Sequence, residues 1–392
     1  MTGWRALLAP LAAATVATGG LGAAGPAPAA VAETGHRTRP VEITRFLGEQ
    51  RLPHRPTVDG TTAGGLSGFD RDPRTGTWYF VSDDRWRYDP ARFYTGTLRF
   101  DRGTGRFTGL SLTEAVTLRR RDGSPYPPYG NPESADPETI RFDPRTRRLL
   151  WGNEGDRPEP GNPDIPVSDQ FIGWTDGRGA DLGRLAKPGN LALTGTERGP
   201  RRNFGFEALA VAPHLIVAAI EGPRYEDGEP PTVRRGAPVR VTVWTRDGRV
   251  RAQYAYPIDP LPAAPDPPDG DTDSGVSEIL AIDDARYLAL ERSWIQGVGY
   301  EVRLYAFDLR GATDVLDRPS LADGRPYRPV AKRLVLDLGT VRPPAQNFEG
   351  LAWGPRLRTG ECVLVAGSDD NFHPQEVTQF LAFATRTCPE TG

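Results

Sequence analysis

Short apolar runs recur along the chain, and each is closed by an acid or a turn-forming cluster. Trp78-Tyr79-Phe80-Val81, Leu149-Leu150-Trp151, Ile216-Val217-Ala218-Ala219-Ile220, Tyr287-Leu288-Ala289-Leu290 and Val363-Leu364-Val365-Ala366 are the clearest. Each follows another apolar run across a short turn, such as Asp72-Pro73-Arg74-Thr75-Gly76 or Asp143-Pro144-Arg145-Thr146. Runs this short, bounded by Asp, Pro and Gly, predict strands rather than helices. Two more amphipathic strands follow in each unit. In the third unit these are 239–245 and 250–256, split by the hairpin turn Asp247-Gly248-Arg249.

The runs belong to a repeat. Taking Ser67 as equivalent to Glu138, Glu207, Glu278 and Glu349, the steps are 71, 69, 71 and 71 residues. Four strands per unit at a fixed period is the pattern of a β-propeller blade. The fifth unit has only three strands before the chain ends, and the strand-like run at 41–47 is placed to complete it. The expectation is an all-β, single-domain propeller over 33–392 with four-stranded blades, five by repeat count. The chain length also accommodates six.

Composition supports this and narrows the partners. With 45 Gly and 39 Pro in 392 residues, long helices are excluded, while 8 Trp, 12 Tyr and 15 Phe argue against disorder. The net charge of −3 predicts no nucleic-acid partner. Residues 1–32 have the form of a signal peptide: Arg5, a soft apolar stretch at 6–24, and Ala30-Val31-Ala32 before the expected cleavage after Ala32. No later stretch approaches a membrane span. A secreted, extracellular protein is expected, and in an oxidising compartment Cys362 and Cys388 are expected to pair and close the last hairpin.

In a propeller the first strand of each blade lines the central channel and the second returns beside it. The start of one and the end of the other share a face, and acids recur at both places. Asp83, Asp84, Glu138, Glu154, Glu207, Glu221, Glu278, Glu291, Glu349, Asp369 and Asp370 are therefore expected to ring one mouth. The long connections 122–136, 155–167, 223–238 and 257–275 fall on the same face, with 311–329 as the exception on the other.

Oxygen ligands in excess, without His or Cys clusters, suit Ca²⁺. Asp83, Asp84, Glu154, Glu221, Glu291, Asp369 and Asp370 are the expected metal ligands. Glu138, Glu207, Glu278 and Glu349 are the expected catalytic carboxylates, with His373 as a general base. Basic residues follow the second acid at Arg85, Arg157, Arg224 and Arg292, and Arg85 and Arg292 are the expected phosphate ligands. The alternative is that these acids accept hydrogen bonds from backbone amides of the next blade and hold the ring together. The segment Asp269-Gly270-Asp271-Thr272-Asp273-Ser274-Gly275 departs from a calcium loop, with Gly at position seven and Leu280 where Glu belongs, and reads as a solvated loop. Gly65-Leu66-Ser67-Gly68-Phe69 fails the nucleophile-elbow pattern by one residue.

As a set, GGLSGFDRDPRTGTWYFVSDDR (64–85), DPETIRFDPRTRRLLWGNEG (136–155), GFEALAVAPHLIVAAIEGP (205–223), VSEILAIDDARYLALERSW (276–294) and NFEGLAWG with VLVAGSDDNF (347–354 and 363–372) resemble the exported proteins of the family "esterase-like activity of phytase". The resemblance spans roughly residues 40 to 388. It implies a propeller related to calcium-dependent phytases that hydrolyses a phosphate or carboxylic ester of a small molecule, here expected as a monomer. The competing expectation is a non-catalytic propeller that binds a ligand or protein through the same face.

Overall fold

Among the described residues, five antiparallel sheets of four strands each account for nearly all regular structure. The structure, a computed structural model, describes residues 40–101, 103–159, 162–341 and 346–390. Blade 1 comprises Gly68–Arg71, Trp78–Ser82, Arg92–Phe100 and Phe107–Thr117. Blade 2 comprises Pro137–Asp143, Arg148–Asn153, Phe171–Thr175 and Asp181–Arg184. Blade 3 follows as Phe206–Val211, Leu215–Ile220, Ala237–Thr245 and Val250–Ile258, and blade 4 as Thr272–Ala281, Arg286–Ile295, Gly299–Asp308 and Ala331–Asp337. Blade 5 has Phe348–Arg356, Cys362–Ser368 and Gln379–Thr385, and Ile43–Arg51 pairs with the last of these as its fourth strand. The innermost strands touch in sequence around the circle, the fifth against the first. The protein is a five-bladed β-propeller.

Local sequence explains the hairpins. In the turns between first and second strands, an Asp carboxylate accepts the amide two residues on: Asp72 from Arg74 (2.8 Å), Asp143 from Arg145 (3.0 Å) and Asp283 from Ala285 (2.8 Å). Each turn also closes with backbone hydrogen bonds, such as Gly76 N to Asp72 O (2.9 Å) and Arg147 N to Asp143 O (2.7 Å), so side chain and backbone fix the reversal together. The second strands of blades 3 and 5 are buried at every position, because each is covered on both sides by neighbouring sheets. Blade 2's outermost strand has no buried position.

The core therefore lies in the wedges between blades, and aromatic rings fill them. Tyr79 of blade 1 stacks on Phe142 of blade 2 at 5.8 Å, Tyr256 of blade 3 meets Phe307 of blade 4 edge-on at 5.2 Å, and Phe380 of blade 5 meets Phe69 of blade 1 at 5.1 Å. Such contacts add about 0.5–1.5 kcal/mol each beyond the area they bury.

The channel is plugged by Arg141, on the first strand of blade 2 and almost fully buried. Its guanidinium donates to Leu209 O (2.5 Å), Phe69 O and Leu351 O (both 2.9 Å) and Ile279 O (2.9 Å), and pairs with Glu278 at 2.6 Å. Those partners sit on the first strands of blades 3, 1, 5 and 4. One side chain thus ties all five innermost strands together, and its five N–H groups meet five acceptors.

Cys362 and Cys388 form a disulfide, which ties the second strand of blade 5 to the segment after its third. The long loop on the far face, 311–329, packs against blade 3: Val315 N donates to Gln253 O and Val330 N to Ala255 O. Residues 1–32, and the leader expected there, lie outside the described residues. Among the described residues no helix is long and apolar enough to cross a membrane.

Replacing Arg141 by Met strands the Glu278 charge and four carbonyls in the channel. Urea unfolding is expected to show a loss of about 3–5 kcal/mol, the usual cost of breaking a buried pair. Adding Glu278→Gln is expected to recover part of that loss, so the two changes are non-additive.

Candidate functional site: a buried carboxylate ring

Strand register decides which acids meet. The first strands of blades 2, 3 and 5 open with a one-residue bulge: Pro137 pairs Asn153 and Thr139 pairs Gly152, Phe206 pairs Ile220 and Ala208 pairs Ala219, Phe348 pairs Ser368 and Gly350 pairs Gly367. The bulged residues are Glu138, Glu207 and Glu349, and the residues following the paired second-strand position are Glu154, Glu221 and Asp369. In blade 1 Ser67 precedes the first paired residue, Gly68, and Asp83 follows the second strand.

Blade 4 differs by one residue. There Val276 pairs Glu291 and Glu278 pairs Leu290, so the bulged residue is Ser277 and the next second-strand position is Arg292. A one-residue shift turns a side chain to the other face of the strand. This corrects the expected equivalence. Glu278 points into the channel, where it accepts from Leu209 N (2.9 Å), Ile279 N (2.9 Å) and Thr139 Oγ1 (3.0 Å) besides pairing Arg141. Glu291 lies between blades 3 and 4, accepting from Tyr256 OH (2.7 Å), Asp259 N (3.1 Å) and Lys332 Nζ.

Two more expected ligands are occupied elsewhere. Asp84 accepts from Tyr88 N and Asp89 N (both 2.8 Å) and pairs Arg92 at 2.5 Å, fixing the loop between second and third strands. Asp370 accepts from Gly65 N (2.8 Å) and Phe372 N (3.2 Å). Glu278 and Asp370 accept backbone amides from a neighbouring blade or its entry, as the alternative has it, whereas Asp84 holds its own loop and Glu291 is held mainly by side chains. Arg157 and Arg224 also turn inward, Arg157 onto the carbonyls of Arg198 and Pro200 and Arg224 onto Asp227.

The remaining acids converge. Asp83, Glu138, Glu154, Glu207, Glu221, Glu349 and Asp369 lie at the mouth with Asp136, which sequence reasoning missed. Asp136 stands two residues before Glu138, and that spacing was the available signal. Oxygens of Asp136, Glu138 and Glu154 all lie within 4.8 Å of one another, and so do those of Glu154, Glu207 and Glu221. Glu154 belongs to both groups. Ser67 Oγ donates to Glu138 (2.9 Å), Gly205 N to Glu154 (3.0 Å) and Asn347 Nδ2 to Glu349 (3.0 Å), so these carboxylates are held in fixed orientations.

Two guanidiniums offset part of the charge. Arg85 pairs Asp136 at 2.5 Å and Glu154 at 3.5 Å, and Arg292 pairs Glu221 at 2.5 Å, Asp273 at 3.0 Å and Glu349 at 3.6 Å. Among the described residues Asp83 Oδ1, Asp136 Oδ1 and Asp369 Oδ2 are buried without a hydrogen-bond partner. Burial first, then neighbouring carboxylates, pushes Asp83, Glu138, Glu207, Glu221 and Asp369 well above the ordinary carboxylate range and Glu154 to about 8.

A cavity of about 520 Å³ opens beside the ring, walled by Asp83, Arg85, Trp86, Tyr129, Asn371 and Phe372. Arg85, Trp86, Asn371 and Phe372 are all left-handed, with φ of 48°, 62°, 45° and 52°. Strained tips of this kind, on adjacent blades, are held only where surrounding structure fixes them. Gly65 is one such constraint: at φ +58°, a Cβ there would come within 2.0 Å of Asp83 Oδ1. His373 is exposed on this rim and makes no hydrogen bond to the ring. His54 Nδ1 lies 3.7 Å from Oδ2 of Asp370, the acid that holds Gly65 N and Phe372 N outside the converging set.

A family model described as Phytase-like, esterase-like activity of phytase, matches residues 61–372. The chain belongs to that family. No curated protein matches it. Solved structures of similar arrangement include a putative oxidoreductase (glucose dehydrogenase) from Thermus thermophilus, at 12% identity over 82% of this chain and 84% of that one, TM-score 0.32. A DUF4221-family member from Bacteroides vulgatus matches at 9% identity over 88% and 97%, TM-score 0.36. A lignostilbene dioxygenase from Pseudomonas brassicacearum matches at 14% identity over 83% and 73%, TM-score 0.31. At these TM-scores the likenesses carry no functional weight for this phytase-like propeller.

The raised acids have a measurable consequence. Folded Glu154 keeps its proton to about pH 8, whereas the unfolded chain releases it from about 4.5. Its contribution to stability is full below 4.5 and is lost as pH rises through 8, at about 1.4 kcal/mol per unit of separation. In EDTA the unfolding free energy is expected to fall over this window, and Glu154→Gln is expected to flatten the slope in urea titrations.

Proposed function

We propose that this phytase-like propeller is an exported, monomeric hydrolase that cleaves an ester of a small molecule, most directly a phosphate ester, at the carboxylate ring with Ca²⁺ bound there. The observation that carries this reading is the set of buried, unpartnered oxygens on Asp83, Asp136 and Asp369, beside two groups of three carboxylates that each converge within 4.8 Å. Converging carboxylates are costly to bury as anions, and a hard cation with oxygen-only ligands relieves that cost. The donor set fits calcium: it holds carboxylates and neither His nor Cys. Glu138, Glu154, Glu207 and Glu221 with Asp136 are the ligands the geometry favours, and Asp83 and Asp369 extend the set towards blade 5. A bound calcium supplies charge neutralisation and lowers the pKa of a coordinated water.

The chain's own residues supply the rest. Arg85 is partly exposed on the cavity wall and is placed to grip an anionic ester oxygen while remaining paired with Asp136. Arg292 is buried and committed to three carboxylates, so its part is to balance charge behind them. Trp86, Tyr129 and Phe372 wall the cavity with rings and limit water at the rim. The disulfide supports export to an oxidising compartment.

Phosphate release from phytate and p-nitrophenol release from phosphate and acetate esters, each with Ca²⁺ and with EDTA, test the reading. Calcium-dependent turnover is expected, with Glu154→Gln and Glu207→Gln each lowering kcat/KM by about 100-fold. Turnover unaffected by both substitutions would remove the ring from the chemistry. Calcium binding by calorimetry without turnover of any ester would leave a non-catalytic, ligand-binding propeller.

A further inference from the structure

On the face opposite the carboxylate ring, blades 5 and 1 part around a cleft of about 610 Å³. Four arginines from separate points of the two blades line it. Arg71 ends the first strand of blade 1, Arg99 lies near the end of its third, Arg356 ends the first strand of blade 5, and Arg358 lies in the turn that follows. Leu98 and Leu357 give the cleft an apolar lining between them.

One of the guanidiniums is accommodated by glycine. Arg99 faces Gly109 across the ladder, and a Cβ on Gly109 would come within 2.3 Å of Arg99 Nη2. The glycine gives that guanidinium a seat against the sheet. Arg71 Nη2 lies beside Gly76, 3.6 Å from where a Cβ would stand. Nearby Arg45 is tied to Glu361 at 3.1 Å, whereas among the described residues none of the four forms an ion pair with a carboxylate. The carboxylates of Asp72 and Asp70 act on Arg71, but among the described residues Arg99, Arg356 and Arg358 have no such partner, and an anion between the guanidiniums removes their mutual repulsion.

We propose that this cleft is a second binding site, for a small molecule carrying two or more phosphate or sulfate groups. Planar guanidiniums bind such tetrahedral oxyanions bidentately, several arginines select for more than one anionic group, and the volume is that of a small-molecule site. The apolar lining suits a carbon skeleton between the anionic groups. The site stands independently of any chemistry at the ring, since no residue is shared.

The test uses the full chain in EDTA at low salt, with inorganic tripolyphosphate titrated by calorimetry. Saturable one-to-one binding is expected. The double variant Arg99→Gln with Arg356→Gln, both exposed, is expected to weaken it by about tenfold or more without moving the unfolding midpoint. Arg249→Gln, on the exposed blade 3 hairpin, is expected to leave it unchanged. Sedimentation with cardiolipin vesicles, whose lipid headgroup carries two phosphates, separates the sources. Vesicle binding lost in the same double variant assigns a lipid headgroup, while tripolyphosphate binding without vesicle binding assigns a soluble anion. No saturable binding to either probe, or binding that survives the double variant, overturns the proposal.

Discussion

The structure depends on the five-way contact of Arg141. A propeller of five blades brings its innermost strands close at the axis, and their carbonyls face a channel too narrow to hydrate freely. Each unpaired carbonyl there costs free energy comparable to a lost hydrogen bond. A single guanidinium, with one carboxylate to balance its charge, satisfies four of these carbonyls and joins blades far apart in sequence. The aromatic wedges between sheets add area and shape, but they act between neighbours. Arg141 acts on all five blades at once, and so fixes the radius at which everything above it sits.

That radius sets the chemistry of the mouth. Because the first strands are pinned at the axis, their bulged residues and the residues ending the second strands are forced to within a few ångströms of one another. Carboxylates placed there have little water and many like neighbours. Glu154 shows the result, since Gly205 N and Arg85 both stabilise its anion and its proton is still held to about pH 8. A site so crowded is poised for cations, and the structural hydrogen bonds from Ser67 and Asn347 keep its members from turning away to solvent. Stability and site chemistry oppose each other here, as they do at preorganised sites generally.

Much of this was legible in the sequence. The repeat period exposed the blade count, because each blade needs the same apolar run, turn and run. Glu138, Glu154, Glu207, Glu221 and Glu349 were visible since each lies next to such a run. Blade 4 was misaligned because Ser277 and Glu278 are adjacent, and the acid drew the alignment one residue beyond the bulge. The apolar pattern does not specify where a bulge falls, so register was the missing quantity. Asp84 and Asp370 share a motif with true ring members but project differently, since successive residues on an extended chain face opposite ways. Arg141 was hidden by composition: in a chain whose basic residues are nearly all arginine, one more arginine in an apolar run carries no signal.

The closing strand has a consequence for how such a chain assembles. Ile43–Arg51 precedes the other blade strands along the chain, yet its partner, Gln379–Thr385, follows all of them, and Thr44 finds its backbone acceptor 340 residues away. Four blades can form from contiguous sequence as they emerge, but the fifth cannot be completed until Gln379–Thr385 has been made. During that interval the first strand must wait with its edge unpaired, a state in which strands seek foreign partners. A strand with only one fully buried residue, whose charged positions include Arg45, Glu49 and Arg51, is suited to that wait. The order in which the ribosome delivers these two strands thus bears on what the seam of the ring can be made of.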